Sequence, residues 1–182
     1  MRTLSLALAV SAVLAAAPAN AQFANRSLGL SVGYSQLFID NARWGIPFGL
    51  EGSAYIEGGF DATASLHMMV LEQPVCRDGS SCQVISLSPG IGFRYLFLEE
   101  TIRPYVGAEF IYLHLFRDRS PTGTSVDGTV SDFIGIGPRV GVDFFVSDSI
   151  SLGVRGHFNL YWMLNQPLQT AVGAMFKAST YF

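Results

Sequence analysis

The last stretch of the chain, residues 168–182, alternates between two kinds of residue, and this pattern most constrains the fold. Counting back from the final residue, every second position is uncharged and most are apolar, whereas the positions between them include Lys177, Ser179 and Tyr181. A period of two is that of a β-strand with one apolar face and one mixed or polar face. The apolar face consists of Phe182, Thr180, Ala178, Phe176, Ala174 and Val172.

Seven more segments repeat this alternation, at about residues 27–37, 47–57, 60–72, 84–97, 103–116, 131–146 and 150–163. In each segment Gly, Ser and charged residues fall mainly on one face, and Leu, Ile, Val, Phe and Ala on the other. The fifth segment is the least regular, because Ile111 and Leu113 fall on its polar face. Each segment reaches the roughly 9–11 residues that a tilted strand needs to cross a membrane.

The connections between these segments alternate in length. Short turns stand at Gly58-Gly59, at 98–102 and at 147–149, whereas longer polar loops alternate with them, and 117–130 is the longest. Short turns at one end and longer loops at the other are typical of outer-membrane barrels, in which the short turns are periplasmic. The pattern predicts an all-β fold, an eight-stranded antiparallel up-and-down transmembrane barrel.

Composition indicates which face of such a barrel points outward. The chain is 49% apolar, yet no apolar run of spanning length follows the first 21 residues, which excludes a helical membrane protein. Only 14% of residues are charged, and Lys177 is the only lysine, although soluble β proteins protect exposed faces with lysine. We therefore expect the apolar face to meet lipid. The net charge of −3 and the lack of a basic patch argue against nucleic-acid binding.

The first 21 residues have the features of a cleaved signal peptide. Arg2 supplies the positive start, residues 4–17 form a short apolar run, and Ala19 and Ala21 are the small residues that signal peptidase requires. We expect cleavage before Gln22, so that 1–21 is the signal peptide and 22–182 the barrel domain.

The signal peptide, the eight alternating strands and the terminal Phe182 together resemble the small outer-membrane barrel superfamily of OmpX-type proteins and the OmpA membrane domain. This resemblance implies location in the cell outer membrane and a monomer surrounded by membrane lipid and lipopolysaccharide. It also implies that Phe182, with Phe176 on the same face, is part of the signal that the barrel assembly machinery binds. No peptidoglycan-binding domain is expected after the barrel.

Cys76 and Cys82 flank a turn-like segment, and export would place both in an oxidising compartment. We predict a disulfide between them that closes one loop. The pair alone is a poor metal site, since no histidine lies nearby in sequence.

Charged residues on the inner face suggest how the lumen is filled. The interior of an eight-stranded barrel is just wide enough for side chains, and the burial of unpaired charges there costs several kcal/mol each. Mirroring the strands about their turns places Glu51 opposite His67, His157 opposite Arg139, and Arg94 diagonal to Glu109. We predict one paired lumen network of Glu51, His67, Arg94, Glu109, Arg139, Asp143, Arg155 and His157.

The function class that follows is a structural or surface-interaction barrel, with an extracellular partner bound through its loops. A narrow pore for small solutes or ions is the alternative. Outer-membrane lipid A deacylases are also eight-stranded, with a nucleophilic Ser two residues after a His, but here Asn159 follows His157 at that spacing and cannot be activated. No catalytic residue, metal or cofactor is predicted.

Overall fold

The computed structural model describes residues 26–38, 43–73, 82–97, 101–117, 131–162 and 168–182. Eight strands pair antiparallel in chain order and close into a barrel, so the predicted fold class is confirmed. The strands are β1 (Arg26–Phe38), β2 (Arg43–Glu57), β3 (Phe60–Gln73), β4 (Cys82–Leu96), β5 (Ile102–Arg117), β6 (Ser131–Ser147), β7 (Ile150–Trp162) and β8 (Gln169–Tyr181).

Within the described residues, no helix is long and apolar enough to cross a membrane.

The barrel closes between its first and last strands. β1 and β8 pair from Ser27 opposite Tyr181 to Phe38 opposite Thr170. At the turn end, backbone bonds join Arg26 to Phe182 in both directions, at 3.3 and 3.0 Å. The backbone groups of both strands are thereby paired, and this closed seam has no free edge that would need covering.

The turn between β2 and β3 requires glycine. Gly58 and Gly59 have φ angles of +60° and +86°, the region that a tight two-residue hairpin turn demands and that glycine adopts without a steric penalty. An irregularity between Tyr55 and Glu57 shifts the register beside this turn. In the observed register Glu51 lies opposite Ser65 and diagonal to His67, so the predicted position directly opposite His67 is wrong.

The outer face of the barrel is an apolar belt. Leu30, Ile56 and Phe176 are 66%, 66% and 67% exposed, values that large apolar side chains of a soluble core would not show. Aromatic side chains lie outward toward both ends of the belt, as the sequence predicts for a barrel anchored at two membrane interfaces. They are Tyr34, Phe48, Tyr112, Phe116 and Trp162 near the loop end, and Phe60, Phe97, Phe144 and Phe182 near the turn end.

Two of the sequence predictions fall outside the described residues. The signal peptide of residues 1–21 is one. The other is the disulfide, because Cys76 lies in an undescribed segment and only the backbone of Cys82, opposite Gln73, belongs to the described barrel. Both stay predictions.

Candidate functional site: the filled lumen

The lumen is filled by side chains at three levels, which we name by their position along the barrel. The turn-side cluster contains Asp61, Arg94, Asp143 and Lys177. The mid-lumen cluster contains Glu51, His67, Glu109, Arg139, Arg155 and His157. The apolar layer closes the loop side with Leu37, Met69, Leu71, Ile111, Leu113, Leu115, Phe133, Tyr161 and Ala171.

In the turn-side cluster, Asp143 is shared by two cations. Its Oδ2 atom lies 3.0 Å from Arg94 Nη1 and 3.0 Å from Lys177 Nζ. Arg94 also pairs with Asp61 at 2.7 Å. The ring of Tyr105 lies against both cations, with its centroid 5.1 Å from Arg94 Cζ and 5.6 Å from Lys177 Nζ. Two carboxylates and two cations therefore neutralise one another where water is largely excluded.

In the mid-lumen cluster, Glu51 lies close to two partners. Its Oε1 atom lies 2.6 Å from Arg155 Nη1 and 3.1 Å from His67 Nε2. Serine side chains of β1 complete the contacts of the two histidines, since Ser31 Oγ lies 3.3 Å from His67 Nε2 and Ser35 Oγ 3.3 Å from His157 Nε2.

The second ion pair at this level joins Glu109 to Arg139 in direct contact. Ser65 donates to Glu109 Oε1 at 2.5 Å. The space for the Glu109 carboxyl comes from Gly90 on the adjacent strand, where an added Cβ would lie only 2.5 Å from Glu109 Cδ. Glycine at strand spacing is thus what lets a charged pair fit inside so narrow a barrel.

A small cavity of about 50 Å³, lined by both charged and apolar side chains, remains beside the mid-lumen cluster. Its lining includes Glu109, Arg139, Arg155, His157 and Asn159. Drug-sized ligand pockets measure roughly 300–1,000 Å³, so this cavity has room for a few water molecules and not for a bound organic ligand.

The apolar layer explains the irregular alternation in the fifth strand. Ile111 and Leu113 do face inward, and they are 4% and 2% exposed. They pack in one cluster with Leu37, Leu71 and Phe133 from other strands. The polar face of the sequence pattern is therefore interrupted because the loop side of the lumen is filled by apolar side chains.

All eight residues predicted for the lumen network point inward, but several partners differ from those predicted. His157 lies opposite Arg139, as predicted. Arg94 is diagonal to Glu109 in register, yet it pairs with Asp61 and Asp143, and Glu109 pairs with Arg139. The expected Arg94–Glu109 pair is therefore wrong.

The predicted network does not include two charged lumen residues, Asp61 and Lys177. Both stand on the polar face of their strands, so the alternation would have identified them as inward. The pairing of Lys177 with Asp143 joins β8 to β6, which are not neighbours in the sheet. Strand-by-strand mirroring does not reveal contacts of this kind.

His157 and Asn159, the residues considered for deacylase chemistry, lie inside the barrel. Asn159 is buried and donates to the hydroxyl of Tyr161 at 2.9 Å. This position is away from the outer face, where a membrane lipid would approach.

No known protein-family model and no curated protein matches this chain. Among solved structures, the chain is similar to Neisserial surface protein A, with a TM-score of 0.65 and 15% identity over 87% of this chain and 97% of that one. It is also similar to the outer membrane protein OprG from Pseudomonas aeruginosa, with a TM-score of 0.55 and 11% identity over 87% and 96%. The chain thus has the fold of the small eight-stranded outer-membrane barrels.

Proposed function

We propose that this chain is an outer-membrane barrel with a closed lumen, whose role is structural or in surface interaction through its loops. The observation that carries this proposal is the filling of the lumen by paired charges at two levels and an apolar layer above them. An ion that crossed would have to break buried ion pairs and then pass a mainly apolar layer, where little would replace its hydration.

The proposed location is supported by the outer face. Large apolar side chains cover it, and aromatic side chains lie near both of its ends. Water would meet this surface at a high free-energy cost, whereas the acyl chains of a bilayer would cover it without one. We propose the orientation typical of such barrels, with the short turns in the periplasm and the longer loops outside the cell.

A narrow pore is the second candidate, and the mid-lumen cavity, whose lining includes charged side chains, is the observation that favours it. The cavity shows that some of the lumen is not occupied by side chains. It lies between the turn-side cluster and the apolar layer, however, and a pore would need both to move aside.

Catalysis inside the lumen is not supported by the geometry of its histidines. Ser31, His67 and Glu51 are in contact, but both the serine and the carboxylate approach the same ring nitrogen, Nε2. A catalytic triad uses opposite ring nitrogens, one for the nucleophile and one for the carboxylate. The contacts therefore fit a structural hydrogen-bond network.

Liposome swelling tests the proposal against the pore. Refolded protein in liposomes should admit small sugars no faster than liposomes that carry a designed or natural closed barrel at equal density. Swelling that scales with the amount of this protein, and that falls with increasing sugar size, would replace the closed barrel with a pore.

A further inference from the structure

The outward face of β5 and β6 carries a polar cluster in an otherwise apolar surface, near the loop end of both strands. His114 and Asp132 stand directly opposite each other in the register. Tyr112 lies on the same outward face of β5, two positions from His114. We call these three residues the rim cluster.

The rim cluster is built around one carboxylate. Asp132 Oδ1 accepts a hydrogen bond from the hydroxyl of Tyr112 at 2.7 Å and lies 2.5 Å from His114 Nδ1. The Asp132 side chain is 50% exposed and that of His114 24% exposed. Both contacts go to the same carboxylate oxygen, so the other oxygen is held in a fixed direction at an exposed site.

Aromatic rings flank this carboxylate. The rings of Tyr112 and His114 are near parallel, with centroids 6.5 Å apart and planes 20° apart. The ring of Phe116 meets that of His114 edge-on, with 4.2 Å between the two ring centroids. A fixed acceptor beside aromatic faces is a surface that can bind a sugar, whose hydroxyl groups donate and whose C–H faces pack on rings.

The level of the rim cluster is set by the length of β5. From Ile102 to His114 the strand covers about 40 Å at about 3.3 Å per residue, which is about 30 Å along the barrel axis at the usual tilt. The apolar band of such barrels is about 25 Å tall. The cluster therefore lies at the upper margin of the belt, where headgroups and not acyl chains surround the barrel.

We infer that the rim cluster binds the saccharide headgroup of an outer-leaflet glycolipid, with Asp132 accepting from its hydroxyl groups. This inference rests on the proposed membrane location and orientation. The apolar belt lies directly below the rim cluster and would hold the acyl chains of the same molecule. A lipid with a sugar headgroup would therefore contact both surfaces at once. A glycolipid is favoured over a phospholipid because its sugar rings offer both hydroxyl donors and C–H faces, which match a carboxylate beside aromatic rings.

The test is native mass spectrometry of the refolded full barrel in detergent, titrated with rough-type lipopolysaccharide. Phosphatidylethanolamine and phosphatidylglycerol are titrated in parallel, and every sample contains EDTA. Asp132→Asn removes the charge at constant size, and Tyr112→Phe removes only the hydroxyl that fixes the carboxylate. Tyr34→Phe is the matched control, because Tyr34 lies outward near the loop end on β1 and stacks on Trp44.

We expect the wild-type barrel to retain lipopolysaccharide in preference to both phospholipids. Asp132→Asn and Tyr112→Phe should each bind it about fivefold to tenfold more weakly, the change expected for loss of one charge-assisted or fixed hydrogen bond, and Tyr34→Phe should bind as wild type.

Three results would overturn the inference while leaving the proposed function intact. They are equal binding by all variants of the heat-modifiable barrel, equal retention of phosphatidylethanolamine, and binding that appears only when Mg²⁺ replaces EDTA. Failure of the wild-type chain to form a heat-modifiable barrel would instead overturn the proposed location, and this inference with it.

Discussion

Glu109 pairs with Arg139 inside the barrel, although Arg94 lies on a diagonal of the same register. Arg139 is itself diagonal to Glu109, since Gly107 and Gly137 are the residues directly opposite them on the partner strands. Both arginines are thus placed to pair with Glu109. Arg139 forms the pair because Arg94 is already bound by Asp61 and Asp143. The lumen charges are thereby divided between two levels.

We predict that Glu109→Ala destabilises the barrel by about 3–5 kcal/mol, because it leaves Arg139 as a buried charge without its carboxylate. Urea unfolding in detergent, followed by the heat-modifiable shift on gels, gives the free energy of unfolding. Exchanging the two charges, with Arg at 109 and Glu at 139, should recover part of the loss.

The matched control for this prediction is Glu57→Ala, which removes the same side chain at an exposed position beside the β2–β3 turn. Exposed substitutions of this kind usually change stability by no more than about 0.5 kcal/mol. If Glu109→Ala were as neutral as Glu57→Ala, the mid-lumen ion pair would not hold the barrel together.

Gly90→Ala should also destabilise the barrel, although alanine in place of glycine usually stabilises a strand. The new Cβ would lie 2.5 Å from Glu109 Cδ and would push the carboxyl away from Arg139. We expect a cost of about 1–3 kcal/mol in the same urea experiment. At Gly156 the nearest atom to an added Cβ is 3.7 Å away, so Gly156→Ala should be neutral or stabilising by up to about 1 kcal/mol. Equal effects at the two positions would contradict the assigned role of Gly90.

Deletion of Phe182 should lower the amount of protein in the outer membrane sharply and leave secretion into the periplasm unchanged. Phe182 is 64% exposed, and although its two backbone bonds to Arg26 would be lost, β8 stays paired with β1 from Tyr181 onward. The loss should therefore affect assembly more than the refolded barrel. Phe176→Ala should act in the same direction, whereas Val172→Ala on the same face should not. Membrane fractionation measures the levels, and unchanged levels after deletion would count against the assembly signal.

Cys76 and Cys82 should react with a maleimide only after reduction in protein taken from the cell envelope. Replacement of both by Ser should leave the heat-modifiable barrel intact, because the predicted bridge closes only the loop between β3 and β4. Intact-mass measurement before and after reduction distinguishes the states, and labelling without reductant would mean free thiols.

The alternation of residues was sufficient to predict the strands and the direction of their side chains, because a period of two assigns every position of a strand to one face. The observed boundaries lie within a few residues of those predicted. β2 begins at Arg43, before the predicted residue 47, because Trp44 and Ile46 continue the outward alternation.

The partners within the lumen could not be predicted in the same way. Arg94 on β4 reaches Asp143 on β6, and Lys177 on β8 reaches the same carboxylate from the other side. Contacts between strands that are not neighbours depend on barrel width and stagger, which local alternation does not contain. The register was not fully predictable either, because the irregularity between Tyr55 and Glu57 adds a residue to one strand and shifts every pair beyond it by one position.

The most direct test of the closed lumen is ionic conductance of the refolded protein in a planar bilayer. A variant with Leu113→Ala and Phe133→Ala serves as the comparison, since it thins the apolar layer while the ion pairs stay in place. We predict that the wild-type barrel shows no steady conductance and that the variant shows more frequent openings. Steady conductance of the wild-type barrel, at the level of the variant, would contradict the closed lumen and make the chain a narrow pore.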